Sequence, residues 1–378
     1  MIPRLIAFLR KGLTVLQTPG KMAAVASRFP RLDRFSRRYF SPGRPDGLSE
    51  DELRTICTTA FGSAPETVSH QHISGWKASG AYRLFVHLAN GDTTSLVFKN
   101  DVFDPATNSG LDALPLRPGP PEYDVYRSAD GPLAPYLPTV YLCDEVRPGR
   151  HYRYVLGDLR YEHHRGAGAA DAQQIARALP ALHRALRAQW PTPDIPATLL
   201  RYHDDGREPL LAYFRAQLHR YTDTTGDETA RRLLHSWMAV ERTYLDDQFY
   251  VPDALGPIHG DLNPSNVHFS QVNGPLKIVD WEWAGIHLLH ADLASVLRSA
   301  PPEDEHRACA DFAAHNDALS MDVHRALYQY CKLERGLLDA AYVAGIHRGG
   351  APQAQFDLHG YIRGAAGRAL DALDALTQ

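Results

Sequence analysis

Apolar positions along this chain change period as it proceeds. Over residues 48–62, "LSEDELRTICTTAFG", Ser49 followed by Glu52 makes a capping pattern and Gly62 closes the run, which predicts a helix. From 66 to 100 the period drops to about two. "YRLFVHLANGDTTSLVFKN" alternates on both sides of "NGD", which predicts a β-hairpin. "PPEYDVYRSADGPLAPYL" reads as a short helix and a Pro-rich turn, and "TVYLCDE" and "YRYVLGDL" as two further strands. Residues 66–160 are therefore expected to form an antiparallel sheet with one inserted helix.

Beyond residue 170 the period is that of helices. "DAQQIARALPALHRALRAQW" puts Ile175, Leu179, Leu182 and Leu186 on one face, with a kink expected at Pro180. "ETARRLLHSWMAVERTYL" and "DVHRALYQYCKLERGLLDAAYVAG" carry similar stripes, each most simply a buried face. Only "VHFS" and "PLKIVDW" look like strands in this half. The expected class is α+β: a two-lobed chain with a basic arm (1–47), a sheet-rich lobe (48–156), a connector (157–170) and a helical lobe (171–378).

Charge changes this picture in one place. The net charge is −4, yet residues 1–45 hold ten Lys or Arg and one acid, about +9, so the remainder is about −13. The arm fits either packing on the body or docking on a protein partner or membrane surface. Because the charge is confined to one short arm, a nucleic-acid partner is not expected. The stretch lacks the long apolar core and small-residue cleavage site of a secretory signal. No run reaches the roughly 18 apolar residues of a membrane span. Cys57, Cys143, Cys309 and Cys331 show no metal spacing and suit a reducing cytoplasm.

The chemistry concentrates in "IHGDLNPSNVHF" (258–269) and "IVDWEWAG" (278–285). Phosphoryl transfer asks a protein mainly for positioned charge and metal. One carboxylate must orient the attacking hydroxyl, and hard oxygens must hold Mg²⁺ against the phosphates. Asp261 is placed to be the base, with His259 buttressing the loop. Asn266 can offer its amide oxygen to the metal. Asp280 can offer a carboxylate, and Glu282, two residues on, would point the same way along an extended chain. "HLLH" (His287, His290) reads as a loop of solvated histidines rather than a metal site. "RYEHHRG" (160–166) reads as an exposed polar loop at the nucleotide mouth or against a partner, and "PPEDEHRACADF" as an acidic helix start or a seat for a cationic substrate.

The string "HGDLNPSNV…IVDWEWAG…DLA" closely resembles the catalytic segment of the aminoglycoside phosphotransferase and choline kinase superfamily, relatives of the protein kinases. The resemblance spans roughly 66–375 and is sharpest at 256–297. It implies a two-lobed kinase fold and Mg²⁺-dependent transfer from ATP or GTP to a hydroxyl. It assigns the base to Asp261, the metal ligands to Asn266 and Asp280, and a loop-bracing carboxylate to Asp292, although "IHLLHADLA" lacks the Asp-Pro that often precedes that aspartate. In the first lobe it implies a nucleotide lysine at Lys99 with Glu122 as its helical partner. A phosphate-covering loop would carry Gly75, Ser79 and Gly80, and a connector of Leu156, Gly157 and Asp158 would hold the adenine.

The absence of D-F-G and A-P-E favours a small-molecule acceptor such as an aminoglycoside, a sugar or an amino alcohol. A Ser/Thr kinase acting on a peptide with a partner lyase, and a silent nucleotide-binding relative, are the alternatives. The intact set of Lys99, Glu122, Asp261, Asn266 and Asp280 speaks against the silent one.

Overall fold

In a computed structural model of the chain, the described residues are 41–73, 80–102, 119–162, 164–191, 194–202, 207–245, 251–270, 275–298, 300–315, 319–346 and 358–377. The basic arm up to residue 40 and the loop holding Gly75 and Ser79 lie outside them. Two compact units emerge. One comprises the N-terminal residues to Val102 together with Thr139–Glu162, the other Phe103–Pro138 with His163–Gln378.

The first unit is a six-stranded sheet with one helix. Its strands are β1 (Ser41–Pro42), β2 (Pro65–His72), β3 (Gly80–Leu88), β4 (Thr93–Val102), β5 (Val140–Arg147) and β6 (His151–Gly157), in the order β1-β2-β3-β4-β6-β5. Every neighbouring pair is antiparallel. Alternation does the folding here. Leu84, Val86 and Leu88 of β3 face the same side as Leu96 and Phe98 of β4, and helix α1 (Glu50–Phe61) lays Leu53, Ile56 and Cys57 on them. Each fully buried Leu, Ile or Phe contributes about 1.5–3 kcal/mol. The expected capping box is present: Ser49 Oγ accepts from Glu52 N at 3.2 Å, and Glu52 Oε2 accepts from Ser49 N at 2.7 Å. Gly62 ends the helix at φ 68°. Arg153 of β6 then ties the helix start to the sheet through Glu52 and Asp144.

The second unit is mainly helical: α2 (Pro121–Arg127), α3 (Ala172–Gln189), α4 (Arg207–Thr225), α5 (Glu228–Leu245), α6 (His290–Leu297), α7 (Pro302–Ala313), α8 (Met321–Ile346) and α9 (Leu358–Thr377). The helix α2, expected in the sheet-rich lobe, packs in this unit instead, where its Asp124 accepts from Thr198 Oγ1. Helix α3 runs unbroken through Pro180. The long α8 packs against α4, α6 and α9. The acids Glu303, Asp304 and Glu305 occupy the first turn of α7, where the helix dipole favours them.

Two small sheets set up the polar stretches. One is β11 (Lys277–Ile278), β10 (Val267–Ser270) and β7 (His164–Gly166); the other is β8 (Leu200–Arg201), β12 (Gly285–Leu288) and β9 (Leu255–Ile258). The chain crosses from β9 to β10 through residues 259–266, and from β11 back to β12 through 279–284. Because β10 pairs with β11 and β9 with β12, both crossings join the same two sheets. Residues 164–166, expected to be loop, are a strand because β10 offers them a ladder. "HLLH" is not solvated: His287 sits in β12 and His290 starts α6, both buried.

The cap makes a direct prediction. Ser49→Ala should lower the free energy of unfolding by about 1 kcal/mol in denaturant titration, and a loss below a few tenths would show that the cap adds nothing.

Candidate active site

The crossing at 259–266 is a closed set of short hydrogen bonds. Asp261 N donates to His259 Nδ1 at 3.2 Å, so His259 carries its ring proton on Nε2 and donates it to Val279 O at 3.0 Å. Asn266 Nδ2 donates to Asp261 O at 3.0 Å. Asn263 caps the short 3-10 turn at Pro264–Asn266, accepting from Ser265 N at 3.0 Å, and its amide also reaches Asp261 Oδ2 at 3.3 Å. Gly260 lies at φ +81°, and a Cβ there would stand 2.1 Å from Trp283 O. Only glycine fits, in conformation and in space.

The second crossing is fixed to the first at one residue. Val279 donates its N–H to Asn266 O at 3.0 Å while its carbonyl accepts from His259. Both backbone groups are thus spent just before Asp280, which adopts φ 67°, the one left-handed non-glycine among the described residues. An L-residue there pays roughly 1–2 kcal/mol, less for Asp than for most. The chain is not extended past this point: Glu282 and Trp283 form a turn closed by Ala284 N to Trp281 O at 3.0 Å. The extended-chain reason for pairing Glu282 with Asp280 therefore does not hold.

Beneath the loop lies Asp292, fully buried on α6. Its Oδ2 accepts from His259 N at 3.0 Å and its Oδ1 from Gly260 N at 2.9 Å. This is the bracing geometry the resemblance implied. His183 of α3 adds a third bond to Oδ2 at 3.0 Å. Burial by itself would raise this carboxyl, but the His183 hydrogen bond, the charge of nearby histidines and the His259 amide hold it below its ordinary value. Two residues away, His290 Nε2 meets His324 Nδ1 at 2.9 Å. Burial first, then His324 and His183, push the His290 imidazole down to about 3.

The other expected residues are distributed as follows. Lys99 lies on β4, paired with Ala81 and Tyr154, and Gly80 begins β3. Glu122 is buried in the first turn of α2. Lys99 belongs to the first unit and Glu122 to the second. Leu156 and Gly157 end β6, and the Gly157 N–H is taken by Thr139 O at 2.8 Å. The Asp158 side chain turns into its own unit, bonding Arg83 at 2.5 Å and Ser95 at 2.7 Å.

Sequence reading missed Arg335. From α8 it donates to Asp261 Oδ1 at 2.6 Å and Gly260 O at 3.1 Å, and pairs with Asp339 at 2.9 Å. Burial disfavours its charge, but Asp339 and Asp261 more than restore it. A charged i,i+4 pair, Arg335 and Asp339, inside an apolar helix was the available signal, as was His183 on the stripe of α3. Next to Arg335 opens a small cavity lined by Tyr202, Phe214, Ile258, His287 and Glu334. Glu334 accepts there from His287 Nε2 at 2.8 Å and Tyr330 Oη at 2.6 Å.

The donor set suits Mg²⁺. Among the described residues no three His, Cys, Asp or Glu side chains group to hold a metal by themselves. Mg²⁺ on a nucleotide needs only one or two hard protein oxygens. With its nitrogen given to Asp261 O, Asn266 has an amide oxygen of the hard kind such a cation takes, and Asp280 is the carboxylate of the second crossing.

A polar loop and an acidic crossing of this kind, carried by a helical unit in a chain that also forms an antiparallel sheet unit, belong to a phosphotransferase of protein-kinase-like fold. The model of the Phosphotransferase enzyme family matches residues 115–327, more than half of the chain, and the chain belongs to that family. Its fold is similar to a choline/ethanolamine kinase family protein from Mesorhizobium loti (15% identity, 87% of this chain and 95% of that one, TM-score 0.56). It is similar also to a microcompartment-associated aminopropanol kinase (16%, 85% and 97%, TM-score 0.56) and to LicA in complex with AMP (15%, 86% and 98%, TM-score 0.52). No curated protein matches the chain in sequence. No helix among the described residues is long and apolar enough to cross a membrane.

The buried histidine gives a signed pH dependence. With its native value depressed to about 3, His290 contributes stability that is fully present above its unfolded value near 6.5. That contribution fades as pH falls, by up to about 1.4 kcal/mol per pH unit, because only the unfolded chain takes the proton. Unfolding titrations between pH 7 and 4 should show this slope in the wild type and a shallower one in His290→Gln. Equal slopes would mean that His290 is not held neutral.

Proposed function

We propose that the protein transfers the γ-phosphoryl group of ATP to a hydroxyl of a small molecule, with Asp261 as the base. The observation that carries this reading is the position of Asp261. Its carboxylate is tethered by the loop yet remains about a fifth exposed. In the proposed reaction the hydroxyl gives its proton to Asp261 as its oxygen bonds the γ-phosphorus, and the bond to the β-phosphate oxygen breaks to release ADP. Asn266 and Asp280 would hold Mg²⁺, which when bound neutralises charge on the phosphates. Lys99 and Glu122, with Gly80, are the residues we assign to the nucleotide on the family pattern, and Glu282 is left without a role.

The cavity beside Gly260 and Arg335 is our candidate seat for the acceptor. Aromatic walls and the Glu334 carboxylate suit a cationic or neutral alcohol. The names of the structural relatives, which include choline/ethanolamine and aminopropanol kinases, agree with an amino alcohol. The AMP complex of LicA supports an adenine nucleotide.

Two outcomes test the roles. Asp261→Asn should reduce transfer by about 10²–10⁴-fold while Mg²⁺·ATP affinity stays put, and turnover near the wild-type rate would remove Asp261 as the base. Asp280→Gly separates conformation from chemistry. It should keep or raise thermal stability, since glycine accepts φ 67°, yet weaken Mg²⁺·ATP binding. Unchanged affinity would take Asp280 out of the metal site. For the acceptor, ATP and GTP consumption should be followed over amino alcohols, aminoglycosides, sugars and Ser/Thr peptides. Turnover with peptides alone would overturn the small-molecule reading.

A further inference from the structure

We infer that Arg335 is a positioning residue for the base: it fixes the Asp261 carboxylate through Oδ1 and so leaves Oδ2 to take the acceptor's proton. The inference rests on the phosphotransfer role given to Asp261 above.

The two carboxylate oxygens are not equivalent. Oδ1 receives a charged hydrogen bond from Arg335 Nη2 at 2.6 Å. Among the described residues, Oδ2 receives only the neutral amide of Asn263 at 3.3 Å, and that amide is shared with Asp261 O at 3.4 Å. Charge-assisted bonds are shorter and roughly twice as strong as neutral ones, so an incoming hydroxyl displaces Asn263 from Oδ2 far more easily than Arg335 from Oδ1.

The guanidinium is itself held. Nη1 donates to Gly260 O at 3.1 Å and Nε to Asp339 Oδ1 at 3.0 Å, so all three nitrogens are committed in one plane. Asp339 is anchored in turn, with Arg368 at 3.5 Å and Arg298 at 3.9 Å on its other oxygen. Arg335 therefore grips the loop at a side chain and at a backbone carbonyl one residue earlier, from an element that cannot follow the loop if it moves. A lysine ammonium offers a single point of charge and cannot reproduce that fork.

In the step this arrangement serves, the acceptor's O–H proton passes to Oδ2, the new O–P bond forms, and the γ-phosphorus separates from the β-phosphate oxygen. Arg335 exchanges no proton; its work is orientation. A purely structural Arg335 would instead cost stability when replaced and leave the rate of the folded protein intact.

The test uses the full chain with Mg²⁺ and ATP, water serving as acceptor so that no alcohol need be known. Arg335→Met should lower the hydrolysis rate about 10²-fold, the scale of a misplaced catalytic group, with the Kd for Mg²⁺·ATP within twofold of wild type. Arg335→Lys should recover about a tenth of the rate, having the charge but not the fork. In a crystal of Arg335→Met, Oδ1 of Asp261 should have turned from its present position. A wild-type or faster rate in Arg335→Met, an unmoved carboxylate, or a rate lost together with Mg²⁺·ATP binding each overturns the assignment. If the Met variant does not fold, an undiminished rate in Arg335→Lys overturns it alone. A wild type that hydrolyses no ATP, and phosphorylates nothing in the acceptor panel, while Asp261 swings in the variant crystal, refutes the kinase reading and leaves the positioning intact.

Discussion

A carboxylate taken wholly out of water must be compensated by hydrogen bonds, and Asp292 is compensated by the loop it supports. The amides of His259 and Gly260 converge on its two oxygens, with His183 closing the set. Leaving one such group unpaired in the interior costs several kcal/mol. Hence the backbone at 259–260 cannot depart without exposing a buried charge to an apolar surround. That penalty is what turns a short polar segment into a fixed platform, and Asp261 stands one residue beyond it.

The same logic carries to the second segment. Both crossings run between the same two small sheets, and Val279 is bonded to His259 on one side and Asn266 on the other. The unusual backbone at Asp280 follows directly from that clamp: with Val279 fixed, the chain must turn sharply to reach β12. Gly260 makes the converse concession, giving up its side chain so that Trp283 O can approach. Opposite Asp292, Arg335 fastens the loop through Asp261 and Gly260. A carboxylate on a loop held by Asp292 and gripped itself by Arg335 is pre-organised for the role proposed for Asp261.

Much of this was legible from residue order. The hairpin around "NGD", the capping box at Ser49 and the helical stripes follow local rules that tertiary structure did not overturn. The motif residues His259, Asp261 and Asn266 fall in one loop because their spacing is too short to do otherwise. What the sequence hid was long-range. Arg335 lies 74 residues from Asp261 and His183 lies 109 from Asp292, so no spacing rule relates them. His287 and His290 looked solvated because their partners, Glu334 and His324, sit on another helix. Residues 164–166 became a strand only because β10 was there to pair with them. The tie from α2 to Thr198 is long-range too, spanning 74 residues from Asp124.

Asp292 anchors the loop at 259–266, and amide hydrogen exchange at His259 and Gly260 tests that anchoring. In the wild type these two amides should exchange only through global unfolding, at the pace of the slowest core amides, and in Asp292→Asn they should exchange far faster while the core of α8 stays protected. Wild-type exchange at the rate of an exposed loop would show that Asp292 does not hold these amides.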